Sequence, residues 1–472
     1  MVFNSLTFLA FLAIVLALHA MPFSWKVRKA NLLVASYLFY AAWNPPFVIL
    51  IWLSTVIDWF AAGRMARTTR PTARRGLLLL SLTTNLGLLG FFKYGNFLLD
   101  TFVTLLGSVG IVYHPPALDI ILPVGISFYT FQTLSYTIDV YRGEMKPWTS
   151  FLDFALFVTF FPQLVAGPIV RASTFLPQCV TERRATGTQI GWGLTLLTIG
   201  LFEKIVLADA MLGPVADAVY SNAMRAGFLD AWVGTLAFSG QIFFDFAGYS
   251  TCAIGVAMCL GFVLPDNFRF PYAAIGFSDF WKRWHISLST WLRDYLYIPL
   301  GGNRKHSLRV HGNLMTTMLL GGLWHGASWR FVVWGGLHGV YLMGERLIRQ
   351  RWRGPTLLGS WPGRVTLALG TYALVCLTWV FFRATSFPNA MTLIKAMTLG
   401  STSNFAVGPM NVVTVGLVTI GLLGAHWFMR DRTLEDWWNQ RTVPVRAVLL
   451  AVLLMSLVMV RGDDRAFIYF QF

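Results

Sequence analysis

Charged residues are scarce in this sequence, and their scarcity excludes most classes of protein. Only 12% of the 472 residues are Asp, Glu, Lys or Arg, about half the share of an ordinary soluble domain, whereas 56% are hydrophobic. A water-soluble fold of this length does not bury so much apolar surface, because the core of a globule grows too slowly with chain length. We therefore exclude a soluble enzyme, a disordered protein and a disulfide scaffold, and expect lipid to be the solvent.

The sequence also lacks the short motifs of the commoner catalytic and binding sites. It has no GxGxxG, Walker or HExxH motif, no metal-ligand cluster of cysteines, and no visible serine nucleophile with its own triad. Its four cysteines form no CxxC pair, and we interpret Cys252 and Cys259 as small core residues of an apolar run. No basic stripe lies on a soluble domain, so nucleic-acid binding is the weaker explanation of the net charge of +16.

The basic residues are grouped after apolar runs, as expected of cytoplasmic loops in a multi-pass membrane protein. The run 3–21 has no charge before it and three basic residues soon after it, so we expect a retained span with the N-terminus outside rather than a cleaved signal peptide. The loop after Ala62 carries five arginines and no acidic residue, which agrees with a cytoplasmic position. Two later arginine-rich loops orient the end of the chain in the same way and put the tail 461–472 outside.

Gly and Pro interrupt several apolar stretches, as at 122–125 and 161–162, which suggests broken or re-entrant helices inside a bundle. A third span ends at Ala62, and further apolar stretches lie near 77–92, 94–112, 118–138, 151–170, 189–208, 230–262, 313–344, 365–385, 411–429 and 444–460. By length we count roughly 10–13 membrane segments. No internal repeat or low-complexity linker is evident. We therefore predict an all-α polytopic membrane protein with one integral membrane domain, 1–460, and an outward-facing aromatic tail, 461–472.

The sharpest candidate site is the segment Gly321–Ala327, which contains Trp324 and His325. Arg330 is the only formal charge in the run 314–343, and His325 lies 11 residues into it, about 16 Å at the rise of an α-helix. That depth is near the middle of a hydrocarbon core, where low dielectric disfavours imidazolium, so we expect a neutral histidine available as a general base. The nearby glycines would let another backbone or a substrate approach closely. The alternative is a hydrogen-bonded histidine that joins two helices.

A second candidate is the tryptophan-rich segment 279–294, which mixes aromatic and basic residues. Helical spacing puts Trp281, Trp284 and His285 on one face. This composition favours an interfacial helix that anchors the protein at the membrane surface. The functional alternative is a basic rim for an anionic ligand, such as the phosphates of coenzyme A, with His285 turned inward to work with His325. The candidate residues of that rim are Lys282, Arg283, Arg304 and Lys305.

Three weaker features are Asp245, His338 and the end of the chain. Asp245 lies in an aromatic run, and we expect it to lock helices or line a cavity rather than transfer a proton. His338 follows His325 by 13 residues, about 220° around a straight helix, so we expect a structural role unless the glycine pair at 335–336 bends the segment. The terminal cluster Phe467–Phe472 is typical of an interfacial aromatic anchor.

Taken together, these segments resemble the membrane-bound O-acyltransferase family, and more narrowly the bacterial branch that includes the alginate O-acetylation membrane protein. The resemblance rests on the segments 279–294, 295–304 and 320–327 and covers most of the chain. The fold that it implies is a helical bundle with broken helices around a central tunnel. Polar or structural positions of that tunnel would be Asp245, Trp324 and Asn303.

The resemblance further implies transfer of an acyl group to a hydroxyl, with acetyl-CoA supplied from the cytoplasm and no permanently bound cofactor. His325 matches the family's essential histidine, and His285, the second polar position, would orient the thioester or stabilise developing charge. Relatives work with a periplasmic SGNH-type acetyltransferase or esterase-like partner that places the group on a polysaccharide. The tail also resembles a companion peptide of bacterial D-alanylation, which implies Tyr469 as an acyl carrier.

The sequence leaves several alternatives open. The acceptor polymer is alginate, another exopolysaccharide such as cellulose, or peptidoglycan. A rival from another class is a proton-coupled transporter or flippase of lipid-linked sugars with Asp245, His285 and His325 as a relay, although no repeated half with paired broken helices is visible. A purely structural membrane subunit is a third reading. For the enzyme we expect the bacterial inner membrane, with both termini periplasmic.

Overall fold

The computed structural model describes residues 1–116, 118, 120–304, 306–351, 359–400, 405–460 and 467–468. These residues are mainly α-helical, and they contain no β-structure beyond one bridge between Ala226 and Phe405. The predicted all-α class is therefore confirmed. The first eleven helices are α1 (Leu6–Ala20), α2 (Trp25–Ala41), α3 (Val48–Arg67), α4 (Pro71–Ser108), α5 (Ile126–Arg142), α6 (Phe151–Thr159), α7 (Phe161–Leu164), α8 (Ala172–Phe175), α9 (Gly187–Leu201), α10 (Gly213–Ser221) and α11 (Phe228–Cys259).

The helices that follow are shorter at first and then long again. They are α12 (Phe277–Arg283), α13 (Ile286–Leu292), α14 (Ser307–His325), α15 (Trp329–Arg351), α16 (Trp361–Arg383), α17 (Phe387–Leu399), α18 (Pro409–Met429), α19 (Leu434–Asn439) and α20 (Val443–Met459). Two π-helical segments continue α9 and α13, namely Phe202–Leu212 and Arg293–Tyr297. Short 3-10 turns lie at Pro45–Phe47, Leu176–Cys179, Ala223–Arg225 and Pro271–Ala273.

Several helices begin at a serine whose side chain accepts a hydrogen bond from the first turn. Ser5 accepts from the backbone N–H of Phe8 at 3.1 Å, and Ser386 accepts from that of Asn389 at 3.2 Å. The first N–H groups of a helix have no partner within it, so such a cap stabilises the start of the helix. The polar residues in front of these apolar runs therefore fix where the helices begin.

In the part of the chain that the structure describes, six stretches are long and apolar enough to cross a membrane: Pro45–Arg67, Pro71–Ser108, Gly187–Ser221, Phe228–Cys259, Trp361–Arg383 and Pro409–Met429. α1 and α20 are shorter apolar helices. The expected number of 10–13 segments stays a prediction, but two of the regions on which it rests fold differently from expectation. The stretch 151–170 is broken into short helices, and the runs 77–92 and 94–112 lie largely in one helix of 38 residues, α4, which continues through Lys93.

The apolar stretch 313–344 lies in two helices. α14 ends at His325 and α15 begins at Trp329, so the break falls at residues 326–328 and not at the glycine pair 335–336. Because the break lies between His325 and His338, the angle calculated for a straight helix does not apply to them.

The two helices approach each other closely at a pair of glycines. A Cβ added to Gly322 would lie 2.2 Å from the carbonyl oxygen of Phe331, and one added to Gly335 would lie 2.2 Å from that of Met318. Such distances are far inside van der Waals contact, so only glycine fits at either position. This confirms that the glycines near His325 admit a neighbouring backbone.

The chain folds as two compact units whose residues alternate along the sequence. Unit 1 is Met1–Leu194, Ala253–Pro265 and Gly326–Ser328, and unit 2 is Thr195–Cys252, Asp266–His325 and Trp329–Phe472. The predicted boundary between a domain 1–460 and a tail stays a prediction, because beyond residue 460 only residues 467–468 are described.

Unit 1 contains a polar network in its interior. The Asp58 carboxylate is fully buried and accepts hydrogen bonds from Ser81 Oγ at 2.5 Å and Asn85 Nδ2 at 2.9 Å. Asn85 Oδ1 in turn accepts from Ser54 Oγ at 2.6 Å and from Thr133 Oγ1 at 3.2 Å. These bonds join α3, α4 and α5, and they satisfy polar groups that would otherwise be costly to bury.

We predict that Gly322→Ala lowers the free energy of unfolding by about 1–3 kcal/mol, because the new methyl group forces α14 and α15 apart. Gly344→Ala, in α15, is the matched control, since a Cβ there meets nothing within 4 Å. The control is expected to be neutral or to stabilise by up to about 1 kcal/mol, because alanine is the better helix former. Unfolding of both variants in detergent measures the difference, and equal effects would contradict the close approach.

Candidate active site

His285 lies at a break between α12 and α13 and not on one continuous helix. Its backbone φ is +43°, in the left-handed region that residues other than glycine rarely occupy. Backbone hydrogen bonds hold the break: Ile286 N donates to Asn267 O at 2.9 Å, and Arg269 N donates to Arg283 O at 2.9 Å. The single helical face predicted for the segment 279–294 is therefore wrong, because these bonds to residues 267–269 turn the chain at His285.

The imidazole of His285 is fully buried, and its hydrogen bond defines its tautomer. Nδ1 lies 3.1 Å from Asn267 Oδ1, an oxygen that also accepts from Ser287 Oγ at 2.8 Å. The amide nitrogen of Asn267 donates to Ser250 Oγ at 3.1 Å. Because the Asn267 oxygen only accepts, the network assigns the proton to His285 Nδ1 and leaves the lone pair on Nε2. Burial lowers the pKa of His285 to about 3, so the ring is neutral near pH 7.

His325 is the last residue of α14 and is 3% exposed. Its ring lies edge-on to Trp334 at 4.9 Å and to Phe382 at 5.4 Å between centroids. The centroids of the His285 and His325 rings are 6.3 Å apart, and Trp324 packs against both, at 5.8 Å and 5.0 Å. The structure thus brings together the two histidines that the sequence singled out. The depth of His325 in a bilayer stays a prediction.

Aromatic side chains form a wall around the two histidines. Trp334 stacks on Trp379 with centroids 5.8 Å apart, and Phe246 contacts the ring of His285 at 4.6 Å. Trp284 is fully buried and packs against Trp379 at 5.0 Å. The membrane-surface anchor that composition favoured for the segment 279–294 is therefore wrong for Trp284, which belongs to the protein interior.

Two kinds of site residue gave no usable signal in the sequence. Asn267 follows Pro265 and Asp266, where an asparagine is typical of a turn. Trp334 and Phe382 lie in apolar runs of a chain that is 15% aromatic, so neither stood out. Their importance depends on neighbours from distant parts of the chain, which only the folded structure shows.

A hydrogen-bonded histidine that joins two helices, the alternative considered for His325, is seen at His338. His338 Nε2 and Thr378 Oγ1 lie 3.0 Å apart and link α15 to α16. The buried ring also stacks on Phe280 with centroids 5.9 Å apart. This geometry fits the structural role that we expected for His338.

The basic residues proposed as a rim differ in their solvent exposure. Lys282 and Arg304 are exposed. The side chain of Arg283 is only 14% exposed, and it donates to the Asp279 carboxylate at 2.9 Å and to the backbone oxygen of Arg430 at 2.8 Å. The guanidinium of Arg283 therefore holds α12 against the end of α18.

A cleft of about 430 Å³ is lined by residues of α14 and α15 and of the loop that precedes α14. Arg346 and Arg349 contribute positive charge to it, and Arg349 pairs with Glu345 at 2.6 Å. Asn303 Oδ1 accepts hydrogen bonds from Tyr297 Oη at 2.7 Å and from Arg346 Nη1 at 3.1 Å. Asn303 thus lies at the N-terminal end of α14, the end opposite to the histidine pair.

Asp245 joins three parts of unit 2. Its carboxylate is 2% exposed, forms an ion pair with Lys204 of the first π-helical segment, and accepts a hydrogen bond from the backbone N–H of Ile468 at 2.9 Å. These contacts fit the helix-locking role that we expected for Asp245. Lys305 and Tyr469, two further candidates from the sequence, lie outside the described residues.

Comparison with known proteins supports the resemblance seen in the sequence. The pattern of the membrane-bound O-acyltransferase family, MBOAT, matches residues 145–382. The chain is 41% identical over 93% of its length to "Probable alginate O-acetylase AlgI" of Pseudomonas aeruginosa, of which it covers 83%. It is 40% identical over 78% of its length to "Peptidoglycan O-acetyltransferase" of Helicobacter pylori, of which it covers 73%.

A third relative has a lower sequence identity. The chain is 30% identical over 47% of its length to "Teichoic acid D-alanyltransferase" of Streptococcus thermophilus, of which it covers 56%. The names of all three relatives describe transfer of an acyl group, which favours the enzyme over the transporter and the structural subunit. The described residues include six apolar helices long enough to cross a membrane, so the protein is a multi-pass membrane O-acyltransferase. The chain therefore belongs to the membrane-bound O-acyltransferase family.

Proposed function

We propose that this enzyme is an O-acetyltransferase of the bacterial inner membrane. It takes acetyl groups from cytoplasmic acetyl-CoA and passes them across the membrane for O-acetylation of a cell-envelope polysaccharide. The names of its relatives favour alginate or a similar exopolysaccharide, with peptidoglycan as the alternative. The observation that carries the proposal is the pair of buried imidazoles, His285 and His325, with ring centroids 6.3 Å apart inside an aromatic wall.

His325 is the general base in this proposal. A ring nitrogen takes the proton of the acceptor hydroxyl while the hydroxyl oxygen attacks the thioester carbonyl carbon. The C–S bond then breaks, the CoA thiolate leaves and receives the proton from the imidazolium, and the acetyl ester remains on the acceptor. A positioned base contributes roughly 10²–10⁴-fold to such a step. The surrounding aromatic side chains limit the access of water, which would otherwise hydrolyse the thioester.

The tautomer of His285 separates the two roles that the sequence left open for it. With the proton on Nδ1 directed to Asn267 Oδ1, the other nitrogen, Nε2, accepts hydrogen bonds and does not donate them. An oxyanion needs a donor, so this tautomer does not stabilise developing negative charge. We therefore assign His285 to orientation: its Nε2 accepts from the hydroxyl or amide N–H of a reactant and so fixes the angle of attack.

The cleft beside Arg346 and Arg349 is the donor site of this proposal. CoA carries several phosphate charges, and guanidinium groups bind phosphate through paired N–H donors. Leu314, which lines the cleft, precedes His325 by 11 residues, about 16 Å along α14. The thin pantetheine arm would follow the helix over this distance. These arginines lie in the last turns of α15, an arginine-rich segment that the charge pattern puts in the cytoplasm, where acetyl-CoA is available.

The acceptor side faces the periplasm in this proposal. Tyr469 of the tail is the candidate first acceptor, and a periplasmic SGNH-type acetyltransferase or esterase-like partner then moves the acetyl group to the polysaccharide. The burial of Phe467 and Ile468, which are 2% and 3% exposed, supports a tail that reaches the interior of unit 2.

We predict that His325→Gln lowers acetylation of the polysaccharide by about 10²-fold or more, because an amide does not accept the hydroxyl proton. The measurement is transfer of labelled acetyl from acetyl-CoA in membranes that contain the partner and the polymer. His338→Gln is the matched control, since His338 is equally buried and also packs against Trp334, at 4.8 Å. The control is expected to retain most of the transfer. Wild-type transfer in folded His325→Gln would reject the assignment of the base.

We predict that Asn267→Asp changes the pH dependence of transfer. In the wild type, burial keeps the pKa of His285 near 3, so its protonation does not limit activity at about pH 5–8. A carboxylate at position 267 favours the imidazolium and raises this pKa. Because protonated Nε2 no longer accepts a hydrogen bond, activity of the variant should fall as the pH decreases through the raised pKa and recover at higher pH.

Asn267→Leu separates this charge effect from the loss of the hydrogen bond. Without an acceptor for Nδ1–H, kcat should fall by roughly 2–12-fold at every pH, the worth of one hydrogen bond. Parallel pH profiles for Asn267→Asp and the wild type would contradict the assigned contact with His285.

We predict that Arg346→Gln raises the KM for acetyl-CoA by about 10-fold, the lower range for loss of a charge-assisted hydrogen bond, with little change in kcat. kcat is preserved because the phosphates are bound alike in the ground state and the transition state. Arg309→Gln removes the same charge from an exposed position of α14 and is the control. Equal increases in both variants would show a long-range effect of net charge and would remove the cleft from the donor site.

A further inference from the structure

Unit 2 contains a buried group of charges that the reaction itself does not use. Lys204 donates to Asp209 Oδ1 at 2.9 Å and pairs with Asp245, and the three side chains are 9%, 5% and 2% exposed. If both carboxyl groups are ionised, one ammonium and two carboxylates leave an excess of one negative charge. An excess charge in an apolar interior is retained only where further hydrogen-bond donors are available.

The first π-helical segment, Phe202–Leu212, explains how this group is assembled. Residues five apart on an α-helix point about 140° away from each other, since each residue turns by about 100°. A π-helix pairs residue i with residue i+5, which brings Lys204 and Asp209 onto one side. Asp245 approaches from α11 and completes the ion pair. The π-helical segment thus aims the ammonium group at Asp245.

The further donor for Asp245 comes from the C-terminal end of the chain. The backbone N–H of Ile468 donates to Asp245 Oδ2 at 2.9 Å, while Oδ1 is occupied by Lys204. The bond joins residues 223 positions apart, and both are buried. The carboxylate binds the main chain of the tail and not one of its side chains. The bond therefore holds the backbone of the segment in place at Ile468.

The neighbouring tail residue places this contact near the histidine pair. The ring of Phe467 packs against Tyr249 at 5.0 Å and Phe246 at 5.8 Å. Phe246 in turn contacts the His285 ring at 4.6 Å. One aromatic ring therefore separates the tail from His285.

We propose that the Lys204–Asp245 ion pair is a docking site for the chain's own C-terminal segment, and that Asp245 is a positioning residue for the acceptor. Asp245 binds the tail backbone at Ile468, Lys204 holds the carboxylate in place, and Phe467 fixes the segment against Phe246. This inference rests on the proposed function, in which the next residue, Tyr469, receives the acetyl group. A tail that slips by one residue would present an apolar neighbour in place of the tyrosine.

The test compares Asp245→Asn with Asp209→Asn in the full-length protein. Each variant removes one carboxylate from the same buried group, and within the described residues it is Asp245 that accepts the hydrogen bond from the tail backbone. Hydrogen exchange of the C-terminal peptide, followed by mass spectrometry, reports whether the tail is bound. We expect the tail amides of Asp245→Asn to exchange roughly ten-fold faster or more, as for loss of a hydrogen bond to a charged group, and those of Asp209→Asn to stay near the wild-type rate.

A kinetic readout tests the positioning role. With labelled acetyl-CoA, Asp245→Asn should transfer acetyl to the tail and to the polymer about ten-fold more slowly, while its KM for acetyl-CoA stays unchanged because the donor cleft is intact. Phe467→Ala leaves the ion pair in place and should also loosen the tail. This second variant keeps the test decisive if Asp245→Asn does not fold.

The possible outcomes distinguish a failure of the docking site from a failure of the proposed function. Equal tail exchange in both aspartate variants, or continued protection in Asp245→Asn, overturns the docking site and leaves the result for His325 intact. A released tail with wild-type transfer overturns the positioning role. Wild-type transfer in His325→Gln overturns the proposed function, whereas hydrogen exchange still reports on the docking site.

Discussion

The hydrogen bond between His285 and Asn267 is the interaction on which the arrangement of the site depends. A buried imidazole requires a partner for its N–H, and the nearest helical residues do not supply one, because their backbone groups bond to each other. The partner comes from the segment that precedes α12, and meeting it turns the chain into a left-handed conformation at His285. This turn directs the ring toward Trp324 and His325. The side-chain amide of Asn267 therefore decides the tautomer, and together with the backbone bonds of residues 267–269 it fixes the break and the geometry of the histidine pair.

The charged residues inside each unit likewise need hydrogen-bond or ion-pair partners. In unit 1, Asp58 is satisfied by a serine and an asparagine of the next helix, and Lys29 pairs with Asp153 and donates to the Cys179 carbonyl oxygen at 3.0 Å. In unit 2, Asp245 pairs with Lys204 and draws in the backbone of the tail. Partners of this kind are far apart in sequence, since a charge in an apolar medium is retained only where the fold brings its counterpart close.

Hydrophobic periodicity and the distribution of charges predicted those features of the fold that depend on local interactions or on the average composition of long segments. The all-α class follows from the composition, and His325 was found because an ionisable side chain in a long apolar run is costly. The apolar stretch 313–344 is two helices, and hydropathy does not register the break at residues 326–328. The segment 279–294 was misjudged for a related reason: its tryptophans suit a membrane surface by composition, yet Trp284 packs on Trp379, almost a hundred residues later in the chain.

The sequence alone determined that this protein lies in lipid as a set of helices, because the free energy of apolar burial depends on composition and on the spacing of charges. It also singled out His325 as the candidate catalytic histidine. Only the tertiary structure decided which groups face it. The glycine pair that admits a second helix, the asparagine that holds His285 and the carboxylate that binds the tail act through contacts of a few ångströms. Such short-range contacts exist only after distant segments have packed together.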